Sequence, residues 1–148
     1  MTIFPTRILL ATDGSEEAQL ALDTATDLAQ KTDSELHIVH VWPVVRLYSN
    51  VDSALVGSVE GHKESRQAAQ ELLDEQVHEA EKAGAKVAGS HVEEGDPDRE
   101  IVRLAEELGV GLIMVGSRGV GGIRRALMGS VSDSVVRHAH CPVMVVRG

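Results

Sequence analysis

Apolar and polar positions along this chain follow two periods that take turns. Residues 7–12, Arg-Ile-Leu-Leu-Ala-Thr, form a short apolar run of strand length, and Asp13-Gly14-Ser15 supplies the turn that ends it. Ala18, Leu22, Ala25 and Ala29 then recur at helical spacing. Residues 36–42 predict a second strand, stopped by Pro43. Residues 43–60 have no clean period and contain Ser, Asn and Gly, the composition of a loop. A long helix follows, with Ala69, Leu72, Leu73, Val77 and Ala80 on one face. Residues 86–92 make a weaker third strand, after which Asp96 caps a helix that has Pro97 at its first position. Ile101, Leu104, Ala105 and Leu108 mark that helix, and Gly109 ends it. Residues 112–115 are a fourth strand, Val131, Val135 and Val136 define a last helix, and Cys141-Pro142 leads into a fifth strand at residues 143–146.

Five strands alternating with four helices predict a doubly wound α/β domain with a mainly parallel sheet, one domain over residues 1–148. The pattern does not fix the strand order. In open sheets of this class, ligands lie beyond the carboxyl ends of the strands where the chain reverses its direction of winding. The loops after the first and fourth strands both fall at such ends.

Composition narrows the setting. The formal net charge is -9, yet it is unevenly placed: residues 1–59 carry -5, residues 60–107 carry -8 and residues 108–148 carry +4. Most of the surface therefore repels nucleic acid and anionic membranes, and a small anion is welcome only in the last third. No apolar run approaches the roughly 18 residues of a membrane span. Asp13 arrives too early for a secretory leader, and the lone Cys141 has no internal disulfide partner, which fits a cytoplasmic protein.

The basic third contains the stretch with the clearest chemistry. Residues 116–132 hold five glycines, three arginines and no acid, directly after the fourth strand. Glycines let backbone N–H groups approach a ligand, and a helix starting near Gly129-Ser130 offers an N-terminus that favours anions. The stretch is not a P-loop, because no lysine occurs from Val87 onward. It is not the dinucleotide fingerprint either, since Arg124 stands where the third glycine of that motif belongs. The residues around Ser130 fail the Gly-x-Ser-x-Gly elbow of hydrolases.

What remains is Gly116-x2-Gly119-x9-Gly129-Ser130, which resembles the ATP-binding class of the universal stress protein family. Ala11-Thr12-Asp13-Gly14-Ser15 is similar to the family's opening motif, and residues 38–41 to its second strand. Val115-Gly116-Ser117-Arg118-Gly119 and Gly129-Ser130-Val131-Ser132 resemble its nucleotide loop, and Cys141-Pro142-Val143 its closing strand. The resemblance implies a sheet order of 3-2-1-4-5, with ATP or AMP bridging the first and fourth strands and Mg²⁺ carried by the phosphates. It implies that Ala11, Asp13 and Val41 flank the adenosine, with Thr12 also among the nucleotide-binding residues. It implies that Gly116, Arg118 and Gly119 approach the ribose and phosphates, with Val115 also among the nucleotide-binding residues. Gly129, Ser130, Val131 and Ser132 would then hold phosphate through backbone N–H groups and two hydroxyls. Ala11 stands where many relatives carry proline, so contact there is through the backbone. Homodimers through the apolar strand Val143–Val146 are a further implication.

Each of these residues has a plainer role open to it. Asp13 can be a helix N-cap with Glu16 completing a capping box, and Ser130 can be a plain N-cap. Cys141 reads as a small buried residue, and Glu93-Glu94 and Glu106-Glu107 as solvated faces. The seven histidines show no metal-ligand spacing, and no nucleophile, base and orienting group are readable as a set. The expected function is an adenine-nucleotide-binding regulatory protein of the stress response. A slow ATPase or nucleotidyl-transfer enzyme in the same pocket is one alternative, and a dimeric interaction protein with a vestigial pocket is another.

Overall fold

The computed structural model describes residues 2–42, 59–117 and 129–148, with the backbone alone for residues 59–64. Its elements are β1 (Arg7–Ala11), α1 (Glu16–Thr32), β2 (Glu35–Trp42), α2 (Val59–Lys82), β3 (Val87–Glu94), α3 (Pro97–Leu108), β4 (Leu112–Gly116), α4 (Ser130–His138) and β5 (Val143–Val146). The five strands form one parallel sheet in the order β3-β2-β1-β4-β5, the expected order. From β1 the chain winds to β2 and β3 on one side and to β4 and β5 on the other. The reversal therefore falls between β1 and β4.

Strand alternation divides the core into two layers. Ile8, Leu10, Leu36, Ile38, Leu112 and Met114 point to the side covered by α1 and α2, where Ala21, Leu22, Ala25, Leu73 and Ala80 meet them. Leu9, Val39, Val41, Ile113 and Val115 point to the opposite side, against Ile101, Leu104 and Ala105 of α3 and Val135 of α4. The stripe on α1 is mostly alanine, so this helix lies close to the sheet. Val136 is 46% exposed, so Val135 and the partly buried Val131 supply the apolar part of the inward face of α4, beside the buried Ser132. Among the described residues no helix is long and apolar enough to cross a membrane.

Several boundaries and caps differ from the sequence reading. The interval 43–60 loses its last two residues to α2, and residues 43–58 lie outside the described residues. The third strand runs two residues further, to Glu94, because pairing with β2 continues through Trp42 despite the charges on this outer strand. Asp96 occupies the N-cap of α3 but makes no capping bond; its carboxylate lies 3.9 Å from Arg99. Glu93 and Glu107 are not simply solvated: both pair with Arg103, at 3.4 and 2.6 Å, while Glu106 pairs with His140.

His91 gives the β2–β3 edge a pH response. His37 and His91 stack with ring centroids 5.9 Å apart, and neither nitrogen of the buried His37 ring has a hydrogen-bond partner. Burial lowers the His91 pKa, the charge of His37 lowers it further, and Glu93 opposes both. A histidine whose folded pKa is lowered binds its proton more readily in the unfolded chain, so stability falls as pH drops below the ordinary value of 6.5. Urea unfolding between about pH 7 and pH 5 should show a smaller loss of stability for His91→Gln than for the parent chain. Equal losses in the two proteins would contradict this assignment.

Candidate functional site

The β1–α1 junction is built by Thr12, Asp13, Gly14 and Ser15. Thr12 extends the ladder one residue beyond β1, its N–H donating to the Val39 carbonyl at 2.9 Å. Its own carbonyl accepts from His40 Nδ1 at 2.8 Å, an arrangement that puts the proton on that nitrogen, and its hydroxyl donates to Gln76 Oε1 at 3.0 Å. Gly14 turns the chain at φ +80°, a region that other residues rarely adopt. The N-cap of α1 is then Ser15, whose hydroxyl accepts from the Ala18 N–H at 3.1 Å. Asp13 is therefore not the N-cap. Its Oδ1 accepts from the Ser15 N–H at 2.9 Å, closing a local turn two residues earlier.

The β4 end faces this junction across the switch point. Gly116 lies against the first turn of α1: a Cβ here would sit 3.0 Å from the Glu17 carbonyl carbon and 3.1 Å from its oxygen. Close helix packing, rather than approach to a ligand, is thus sufficient reason for this glycine. Ser117, 5% exposed, follows it. Its carbonyl accepts from the Gly129 N–H at 2.6 Å and from Ser132 Oγ at 2.8 Å, joining the two ends of the glycine-rich stretch.

The N-cap of α4 is Gly129, not Ser130, which is the first helical residue and exposed. The first bond of the helix runs from the Asp133 N–H to the Gly129 carbonyl. The N–H groups of Ser130, Val131 and Ser132 precede that bond, and a helix has no internal acceptor for such first-turn donors. With the positive end of the helix dipole behind them they favour an anion. Ser132 Oγ already bonds to the Ser117 and Gly129 carbonyls, so its hydroxyl holds the turn together.

Of the residues singled out in the sequence, Ala11, Thr12, Asp13, Val115, Gly116, Gly129, Ser130, Val131 and Ser132 are placed on the two neighbouring junctions. The side chains of Val41 and Val115 are buried in the core. Arg118 and Gly119 lie outside the described residues. Glu17, Ser117, His40 and Gln76 bond at the two junctions, although the sequence reading assigns none of them a role in the site. Ser117 and His40 carry a signal, their places inside the glycine motif and the second-strand motif; Glu17 and Gln76 bond over spans that no local pattern reveals.

A concavity of about 420 Å³ lies at the opposite end of the sheet, lined by Ala105, Glu106, Gly109, Val110, His140 and Cys141. Burial pushes the Cys141 thiol above its ordinary pKa, partly offset by a bond with the backbone of Ile113. That environment keeps the thiol protonated and poorly nucleophilic. Among the described residues no group of three or more His, Cys, Asp or Glu is placed to hold a metal.

The sequence profile of the Universal stress protein family matches residues 5–147. A putative universal stress protein of Staphylococcus haemolyticus is 40% identical over 141 residues, 95% of this chain and 83% of that protein. Universal stress protein UspA from Lactobacillus plantarum has the same fold, with a TM-score of 0.83 and 23% identity over 99% of this chain and all of the other. A universal stress protein from Archaeoglobus fulgidus, solved in complex with dAMP, superposes with a TM-score of 0.70 and 25% identity over 99% of this chain and all of that one.

Proposed function

The chain belongs to the universal stress protein family, and we propose that it binds an adenine nucleotide, ATP or AMP, across the carboxyl ends of β1 and β4. The observation that carries this reading is the first turn of α4. Its first-turn donors lie beside the reversal of winding between β1 and β4, in the part of the chain where positive charge collects. The dAMP held by the Archaeoglobus protein supports an adenine nucleotide as the ligand class. In this reading Ala11, Thr12, Asp13 and Val41 border the adenosine, largely through backbone. Val115 and Gly116 lead to the phosphates, with Arg118 and Gly119 completing the motif. Gly129, Ser130, Val131 and Ser132 hold phosphate through N–H groups, and the exposed Ser130 adds its hydroxyl. A divalent ion such as Mg²⁺ would be carried by the phosphates.

The protein then acts as a regulatory binding module in the cytoplasm, one domain whose output is its liganded state. The outer strand β5, with Met144 exposed at its middle, is our choice for the contact with a second copy. Denaturing the purified protein and separating the released small molecules by chromatography tests the reading. An adenine nucleotide near stoichiometric amount is the expected result; its absence, together with no uptake of added ATP or AMP, would overturn it.

A further inference from the structure

Ser117 is tied to three elements at once. Its N–H donates to the Val146 carbonyl of β5 at 2.8 Å, its carbonyl holds Gly129 and Ser132, and its hydroxyl donates to Glu17 Oε2 of α1 at 3.1 Å. The same Glu17 oxygen accepts the Gly148 N–H at 3.0 Å. We propose that Glu17, acting through Ser117, is the positioning residue that aims the first turn of α4 at a phosphate. This inference rests on the nucleotide reading of the site.

The physical argument begins with the helix end. Gly129 has no side chain with which to cap α4, so the bonds to the Ser117 carbonyl anchor that end in its place. The direction of that carbonyl follows from how Ser117 itself is held. One side is fixed to β5 by the backbone and the other to α1 by a hydroxyl–carboxylate bond, a class stronger than a neutral pair. Removing the carboxylate leaves a buried hydroxyl that must turn to another acceptor, and the carbonyl is then held from one side only. As a bare charge, a carboxylate near a phosphate weakens binding. Positioning and field thus predict opposite signs for removal of Glu17.

The test uses the full chain freed of nucleotide, titrated in parallel with ATP and with adenosine, which lacks phosphate. Ser117→Ala and Glu17→Ala should each weaken ATP about tenfold and leave adenosine within about twofold, and the double variant should be no worse than the weaker single one. Glu17→Gln keeps an acceptor oxygen and should recover most of the ATP affinity. ATP affinity that rises in both Glu17 variants would make Glu17 a field effect and overturn the proposal. Unchanged ATP affinity in the Ala variants, additive losses, or equal losses for ATP and adenosine would overturn it as well. A parent chain that binds neither ligand overturns the nucleotide reading, and this inference with it.

Discussion

Gly129→Asp should weaken ATP binding by about 100-fold or more while leaving the protein at least as stable as before. Gly129 sits at φ -65° and ψ 159°, extended backbone that any residue adopts, and it is the N-cap of α4. Aspartate is among the best N-cap residues and complements the helix dipole, so stability should rise by about 0.5 kcal/mol. The new carboxylate, however, occupies the anion position that the first-turn N–H groups define. At about 4 Å in an environment of intermediate dielectric, two like charges repel by roughly 4 kcal/mol. After screening, ATP affinity should fall by about 100-fold or more, with AMP affected less and adenosine least. Calorimetric titration combined with thermal unfolding separates the two effects. ATP binding that survives the substitution would show that phosphate sits elsewhere.

Gly116→Ala should do the reverse, damaging the fold of the ligand-free protein. The added Cβ meets the Glu17 carbonyl carbon at 3.0 Å and its oxygen at 3.1 Å, and these are backbone atoms that cannot turn aside. Relief requires α1 to move away from β4 across an alanine-lined interface that depends on close approach. Overpacking of this kind costs about 2 kcal/mol, which for a chain of this length lowers the melting temperature by about 6 °C. Gly129→Ala is the control from the same motif, at a position with permissive backbone, and should cost far less. Equal melting temperatures for Gly116→Ala and the parent would contradict the packing argument. Two glycines of one motif thus have different physical reasons to be glycine.

Those differences mark where a sequence stops being readable. The alternation of strand and helix was legible because each inward face follows a simple period: Ile8 and Leu10 go to one side of the sheet and Leu9 to the other. The parallel class and the importance of the loops after β1 and β4 followed from that pattern, whereas the strand order came from the family resemblance. The caps were harder. Asp13-Gly14-Ser15 offers two oxygen-bearing candidates two residues apart, and only the positive φ of Gly14 decides for Ser15. At Gly129-Ser130 the more typical capping residue is displaced one place into the helix, where its side chain is exposed. Long-range polar bonds were invisible. Glu17 looks like an ordinary acidic residue in the first turn of a helix, yet it bonds to Ser117, one hundred residues away. Gln76, on a face otherwise read as apolar, bonds to Thr12 across 64 residues.

The junctions after β1 and β4 should act as one cleft that takes an adenine nucleotide by its phosphates. The most direct measurement is a calorimetric titration of nucleotide-free protein with ATP, with Gly129→Asp run beside it. The parent should bind one ATP per chain saturably, and the variant should lose about 100-fold or more in affinity. No measurable binding by the parent, or equal binding by both proteins, would contradict it.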